Sequence, residues 1–331
     1  MITQFEFLNF IKQVGFALAG AASMWALYFY YKQKNSVGEA KEVYTSIIRR
    51  FIAPLTVGVL MSVIAWFGLD ITTTYTAFAH EGVTISPVSE DILTALQVTE
   101  PIFLLYVFSF LAGVYLWIFK KDLYFKKGVY FYSWMLLLAT ILISLPVWND
   151  NVTDMMFFIW HNNHSILTLG TVLILDFLLL VTKYHEKYER HIYPILPIVS
   201  KVIWLGLFLD FFSVAFVFER AIENTAKFQL MQTVVGVLIV NGIFLSGPLT
   251  RKMQSLIQKD GTVKPMTRKW EIIASISGSI SIASWITITF TDFMQNIQFG
   301  YLTLLGLYVG FVIVAWITYE ILEHYKVGSR W

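Results

Sequence analysis

Two aspartates and one histidine-bearing run carry the polar chemistry of an otherwise apolar chain. Asp176 lies in Leu173-Ile-Leu-Asp-Phe-Leu-Leu-Leu180 and Asp210 in Leu207-Phe-Leu-Asp-Phe-Phe212. Burying one such carboxylate at the middle of a membrane helix costs roughly 2.5–3.5 kcal/mol, so both are predicted to point into a helix bundle rather than at lipid. Two carboxylates facing one polar pathway can exchange a proton or hold a cation. In a purely structural role each would instead be protonated, or bonded to a neighbouring helix through Asn241, Ser277 or Ser281, and would only hold the bundle together. The run is Trp160-His161-Asn162-Asn163-His164-Ser165. Histidines three apart share a helix face, and His161 with His164 could bind Cu or Zn there. His80 is the one other histidine on the same side of the membrane by topology, and Met155, Met156 and Met231 offer soft ligands for Cu(I). His161, His164 and His80 are therefore the candidate metal ligands, and Asp176, Asp210 and Asn241 the candidate intramembrane polar groups. A haem at this face would have to pair His161 or His164 with His80 or a methionine. The competing structural role for the run is an aromatic and polar cap at the membrane interface.

These residues need long apolar elements to position them, and the chain supplies nine hydrophobic stretches, near 7–31, 51–69, 101–119, 129–147, 164–182, 195–218, 228–249, 271–291 and 300–322. Most are close to the ~20 residues that cross a ~30 Å hydrocarbon core, and helices are expected because they satisfy their own backbone polar groups there. With 57% hydrophobic and 14% charged residues, the chain has far more apolar surface than a soluble core of 331 residues would hide. All but four of the 24 Lys and Arg fall in alternate gaps, the exceptions being Lys12, Lys201, Arg220 and Lys227. Basic loops stay cytoplasmic, so the N-terminus is expected outside and the C-terminus inside, which requires an odd number of spans. Glu6 ahead of the first stretch, with no small-residue cleavage site after a short apolar core, predicts a retained span rather than a leader.

Placing Lys183 on Lys32 also places Lys201 on Arg50, an offset that pairs spans one and two with five and six. The pattern predicts a parallel duplication of a four-helix unit: 1–150 with an outer loop at 70–99, then 151–331 with a ninth helix appended. At this offset His164 corresponds to Gln13, Asp176 to Trp25 and Asp210 to Val59, so the second unit holds the polar groups. Ser89-Glu-Asp91 is expected to open a short helix running toward Gln97. The small residues of span eight, from Ser275 to Ser284, suit close helix packing, and no base accompanies them as a catalytic serine would need. A net charge of +2 shows no basic excess that would suit nucleic acid. The lack of cysteine excludes disulfides, thiolate metal sites and cysteine nucleophiles.

The second unit resembles bacterial membrane domains related to the copper-resistance protein D family. The resembling features are the helix entered through His161 or His164, Leu238-Ile-Val-Asn-Gly242 followed by Arg251-Lys252, and Ser279-Ile-Ser-Ile-Ala-Ser-Trp285. Arg49-Arg50 before span two gives the first unit a similar feature, although Phe10 and Gln13 stand where the entry histidines would be. The resemblance implies a helical bundle associated with copper passage or, in relatives, with haem. The sequence reading is an all-α polytopic protein of the cytoplasmic membrane, surrounded by lipid, that handles a metal ion or other small cation. The alternatives are a haem- or quinone-binding redox subunit and a non-catalytic subunit of a larger membrane complex or homo-oligomer.

Overall fold

The computed structural model describes residues 4–79, 90–121, 124–143, 163–182, 186–217, 225–293 and 299–328. Its regular elements are helices: α1 Gln4–Lys34, α2 Gly38–Arg50, α3 Ile52–Ala79, α4 Glu90–Phe119, α5 Val129–Leu142, α6 Thr171–Thr182, α7 Glu186–Ile192, α8 Leu196–Val217, α9 Ala226–Phe244, α10 Thr250–Gln254, α11 Arg268–Phe293 and α12 Tyr301–Gly328. Wider π-helical turns at Tyr124–Gly128, His164–Gly170 and Leu245–Leu249 lead into α5, α6 and α10. Among the described residues, seven helical segments are long and apolar enough to cross a membrane: Glu6–Lys34, Gly38–Leu69, Glu100–Phe119, Lys187–Phe211, Ala226–Gln254, Arg268–Thr291 and Tyr301–Ile321. Two shorter apolar segments, Val129–Leu142 and Ile166–Leu180, coincide with the two remaining hydrophobic stretches. The chain thus has the helices of a multi-pass membrane protein.

Three elements differ from expectation. Helix α3 runs on past residue 69 to Ala79, into the stretch expected as an outer loop. The basic gap at 32–50 contains a helix, α2, whose Val43, Tyr44, Ile47 and Ile48 are buried while its charged residues lie on the other face. That spacing is the one-sided apolar stripe of an amphipathic helix. Helix α4 begins at Glu90, where the acidic run predicts a helix start, but it does not stop near Gln97. It continues through Pro101 to Phe119, a proline that removes one backbone donor without ending the helix.

The described residues form two compact bodies, Thr3–Ile174 with Leu205–Arg220 and Leu175–Trp204 with Ala221–Trp331, and the division falls within α6 and α8. In the first body α1 is central. Its Ala17, Ala19, Ala21, Ala22 and Ala26 are essentially inaccessible, and such small side chains let neighbouring backbones approach. The closest approach is to α3. A Cβ on Gly15 would lie 2.6 Å from the Ser62 backbone nitrogen, and one on Gly58 would lie 2.7 Å from both Ala19 N and Gly15 O, so neither position admits a side chain. Ser62 Oγ meets Tyr106 Oη at 3.0 Å, tying α3 to α4. Lys12 places its ammonium 5.7 Å from the centroid of the Trp66 ring, which also stacks on Phe103.

Contact order gives the helix directions. Gly15 meets Ser62 while Gly68 meets Leu8, so α1 and α3 are antiparallel; Gly20 meets Thr140 while Tyr30 meets Tyr130, so α1 and α5 are too. By contrast, Gly20 meets Ile166, and Trp25 Nε1 donates to Thr171 Oγ1 at 3.2 Å. Both of those pairs ascend together, so α1 runs parallel to the segment entering α6.

In the second body, Asn241 on α9 donates to the Ser277 carbonyl on α11 at 2.9 Å, and Phe244 stacks on Trp270. Helices α11 and α12 are joined by Ser284 Oγ with Tyr308 Oη at 2.8 Å and by Arg268 with Glu320 at 2.9 Å. Both pairings are antiparallel. The loop before α11 folds back through an antiparallel bridge between Ile257 and Val263. Gly261 at its tip has φ +84°, and its carbonyl accepts from Arg190 Nη1 at 3.3 Å. Leu256 packs with Tyr193 and Leu196, with Leu175, Ile257, Val263 and Met266 around them.

Candidate functional site

The first body brings His164 and Asp210 together, with Asn163 beside them. His164 opens the π turn that leads into α6, and Asp210 lies on α8. The crossing is close because position 206 lacks a side chain. A Cβ on Gly206 would lie 2.5 Å from Thr168 Cγ2 and 3.2 Å from Leu167 Cβ. Gly206 and Asp210 are four apart and share one face of α8, so both reach the same turn of the facing segment.

Three short contacts define the cluster. The Asn163 amide donates through Nδ2 to Asp210 Oδ1 and to the Gly206 carbonyl, both at 2.7 Å. His164 Nδ1 lies 3.3 Å from Asp210 Oδ2. Relative exposures of 5% for Asn163, 2% for His164 and 8% for Asp210 place all three inside the protein. Each carboxylate oxygen therefore has a nitrogen partner, and a hydrogen-bonded carboxylate is the form in which an acid can remain inside a bundle. The Asn163 orientation follows from its two contacts, since a flipped amide would point its oxygen at two acceptors. Its Oδ1 is buried and has no hydrogen-bond partner. Thr168 Oγ1 donates to the His164 carbonyl and Thr171 Oγ1 to the Ile166 carbonyl at 2.9 Å, two hydroxyls that serve backbone acceptors in the widened turn.

Asp210 is thus buried in the bundle, as the cost of facing lipid predicts. His164 is engaged with the following span rather than standing as a surface cap. His161 and His80, the other two candidate ligands, lie outside the described residues, as do Met155 and Met156. Among the described residues no group of three or more His, Cys, Asp or Glu is placed to hold a metal.

Asp176 and Asn241 belong to the second body. Asp176 is partly buried, and its Oδ1 lies 3.9 Å from where a Cβ on Gly278 would sit, so the missing side chain leaves room beside the carboxylate. Asn241 is 8% exposed and meets α11 one residue earlier, at Ser277. Both polar groups of this body therefore approach the small-residue segment of α11. The structural alternative has the aspartates bonding through Asn241, Ser277 or Ser281, whereas here Asn241 bonds Ser277 and Asp210 is met by Asn163 and His164.

Sequence reasoning passed over Asn163 and Gly206 as site residues. The available signal was the four-residue spacing of Gly206 and Asp210, which gives one face of α8 both a gap and an acid. Chemically, a carboxylate that orients an imidazole through Nδ1 is the arrangement that supports a metal ligand or a proton carrier at the other ring nitrogen. No family model, curated protein or solved structure matches the chain.

Proposed function

We propose that this is a nine-span protein of the cytoplasmic membrane that handles a metal ion or other small cation, with His164 and Asp210 as its outer binding step. The carrying observation is the buried Asn163–His164–Asp210 cluster. An ionisable pair inside a membrane bundle is costly and usually marks an ion or proton path. Asp176, which approaches α11 at Gly278, one residue beyond the Ser277 that Asn241 meets, is assigned the charge-carrying role in the second body. The copper-resistance resemblance makes copper one cation to test.

The parallel course of α1 and the segment entering α6 supports the topology. Two spans run in the same direction only when the number of crossings between them is odd. Spans two and three alone would make it even, so the short segment Val129–Leu142 is needed as a crossing. The same parallel course fits a duplication whose first and fifth spans correspond. The N-terminus is assigned to the outside and the loop around residue 260 to the cytoplasm. In this cysteine-free chain a single cysteine introduced at position 260 should react with an impermeant thiol reagent only after the cells are opened. Reaction in intact cells would reverse the assignment.

Function is tested by cation flux into vesicles holding the purified protein. Asp210→Asn and Asp176→Asn keep the side-chain shape while removing ionisation, and each should abolish coupled flux while the protein stays folded. Full flux in both variants would return these acids to a packing role. A haem Soret band in the purified wild-type protein would favour the redox alternative.

A further inference from the structure

We infer that Asp176 takes its proton through a short file of bound water on one face of α11, entered at Glu271 and handed on by the Ser275 hydroxyl. This rests on the charge-carrying role assigned to Asp176 and supplies the route that such a group needs.

The route follows from helix geometry. Glu271, Ser275 and Gly278 are spaced by four and then three residues, so they stack on one face of α11. Gly278 is the position that Asp176 meets, and its lack of a side chain leaves room beside Oδ1. Glu271 lies toward the start of the same helix, about 10.5 Å away along the axis. Its carboxylate is 3.6 Å from Arg268 Nη1, and the Arg268 side chain is 60% exposed and also bonded to Glu320 at 2.9 Å. Tyr193, hydrogen-bonded to Glu189, stands near Glu271 as well. The entrance is therefore polar and open, at the end of the body where the basic segment 250–269 is assigned to the cytoplasm.

Ser275 stands between the two acids. It is 2% exposed, and its Oγ is buried with no hydrogen-bond partner. Its neighbours on α11 behave otherwise: Ser279 Oγ donates to the Ser275 carbonyl at 2.8 Å, and Ser284 Oγ to the Ile280 carbonyl at 2.6 Å. A buried hydroxyl left unbonded is exceptional, and water is the ordinary partner for one. The hydroxyl divides the route into rises of about 6 Å and about 4.5 Å, each near the span of one water bonded on both sides at about 2.8 Å. A hydroxyl accepts one hydrogen bond while donating another, as water does. A proton given up by the Glu271 carboxyl is passed on as each water, and Ser275 between them, accepts one proton and releases one. It ends on an Asp176 carboxylate oxygen, and Glu271 regains its proton from bulk water.

The test is infrared spectroscopy of the purified full-length protein in detergent after rapid mixing into D2O, following the C=O band of the protonated carboxyl that Asp176→Asn removes. In the wild type that band should shift within the mixing time. Ser275→Val, which lacks the hydroxyl, should slow the shift at least tenfold, and Ser275→Thr, of the same shape with the hydroxyl kept, should restore it. If Ser275→Val fails to fold, Gly278→Ala takes its place: the added Cβ stands 3.9 Å from Asp176 Oδ1, an ordinary contact, yet fills the space of the water beside the carboxylate, and the shift should slow to the same extent. Glu271→Leu should slow it too, and a wild-type rate there removes Glu271 as the entrance. Wild-type rates in the Ser275 and Gly278 variants overturn the inference and leave the charge-carrying role of Asp176 standing. If Asp176→Asn removes no such band at any pH the protein tolerates, Asp176 takes no proton and the inference falls. Unchanged cation flux in Asp176→Asn removes the charge-carrying role itself.

Discussion

The first body contains two helix crossings that share a geometric problem and solve it differently. Where α1 crosses α3, Gly15 and Gly58 remove both side chains and the backbones meet directly. Where the π turn crosses α8, only Gly206 is bare, and the remaining contact is polar, made by Asn163, His164 and Asp210. At the offset that places Lys183 on Lys32, Val59 stands at Asp210 and Gln13 at His164; one crossing is closed by shape and the other by hydrogen bonds. The first is made by bare backbone, the second by an amide and an imidazole gathered on one carboxylate.

The contrast can be broken most severely at Asp210. Asp210→Ala leaves the Asn163 and His164 nitrogens buried without their acceptor and should cost about 3 kcal/mol, read by denaturant unfolding in detergent. The matching Val59→Ala, which removes only two methyl groups, should cost about 1.5 kcal/mol. Equal losses would mean that the polar cluster is no more than packing. Next comes Gly58→Ala, whose Cβ would press on two backbone atoms of α1 that cannot rotate away. It should cost about 1–3 kcal/mol, measured as a lowered melting temperature. A neutral result there would show that the α1–α3 crossing is looser than its contacts indicate.

Smaller effects test whether ordinary interhelical hydroxyl pairs behave alike in the two bodies. Ser62→Ala and Ser284→Ala each remove a bond to a tyrosine, to Tyr106 and Tyr308, and each should cost about 0.6 kcal/mol. The smallest effect is expected at the loop tip. The Thr262 amide and hydroxyl both donate to Asp260 Oδ1, and these bonds to the charged form hold its carboxyl below its ordinary value. Because the folded value is depressed, the turn keeps this contribution above the unfolded value and loses it as pH falls through the folded one. A fluorophore on a cysteine introduced at position 258 should therefore report an ordered turn at neutral pH that loosens only in acid. In Asp260→Asn that transition should disappear.

The apolar stretches were legible in sequence because lipid imposes one rule on all of them, and each has a helix among the described residues. Helix α2 was not legible because Glu39, Lys41, Glu42, Arg49 and Arg50 mark the segment as a charged gap; Val43, Tyr44, Ile47 and Ile48 form the stripe only once it is wound as a helix. Asp210 could be assigned inward from the cost of burial alone. Its partners could not, since pairing His164 with Asp210 requires knowing the level at which two spans cross, and that level is set by Gly206. Asp176 shows the same limit: sequence places it inside a span, while its neighbour at Gly278 follows from packing.

The π turn at His164–Gly170 carries a consequence for how such a site can arise. A π turn holds one residue more than an α turn, and one residue is about 100° of rotation on an α-helix. The turn therefore sets Asn163 and His164 at an angle to Thr171 that an uninterrupted helix would not give. Thr171 faces Trp25 of α1 while the residues ahead of the turn face Asp210. A single-residue insertion into an ancestral helix would suffice to swing the pair from one neighbour to another without disturbing α6 itself. Deleting one residue between 165 and 170 should reverse the swing, turning the histidine away from its acid while the α1 contact stays in place.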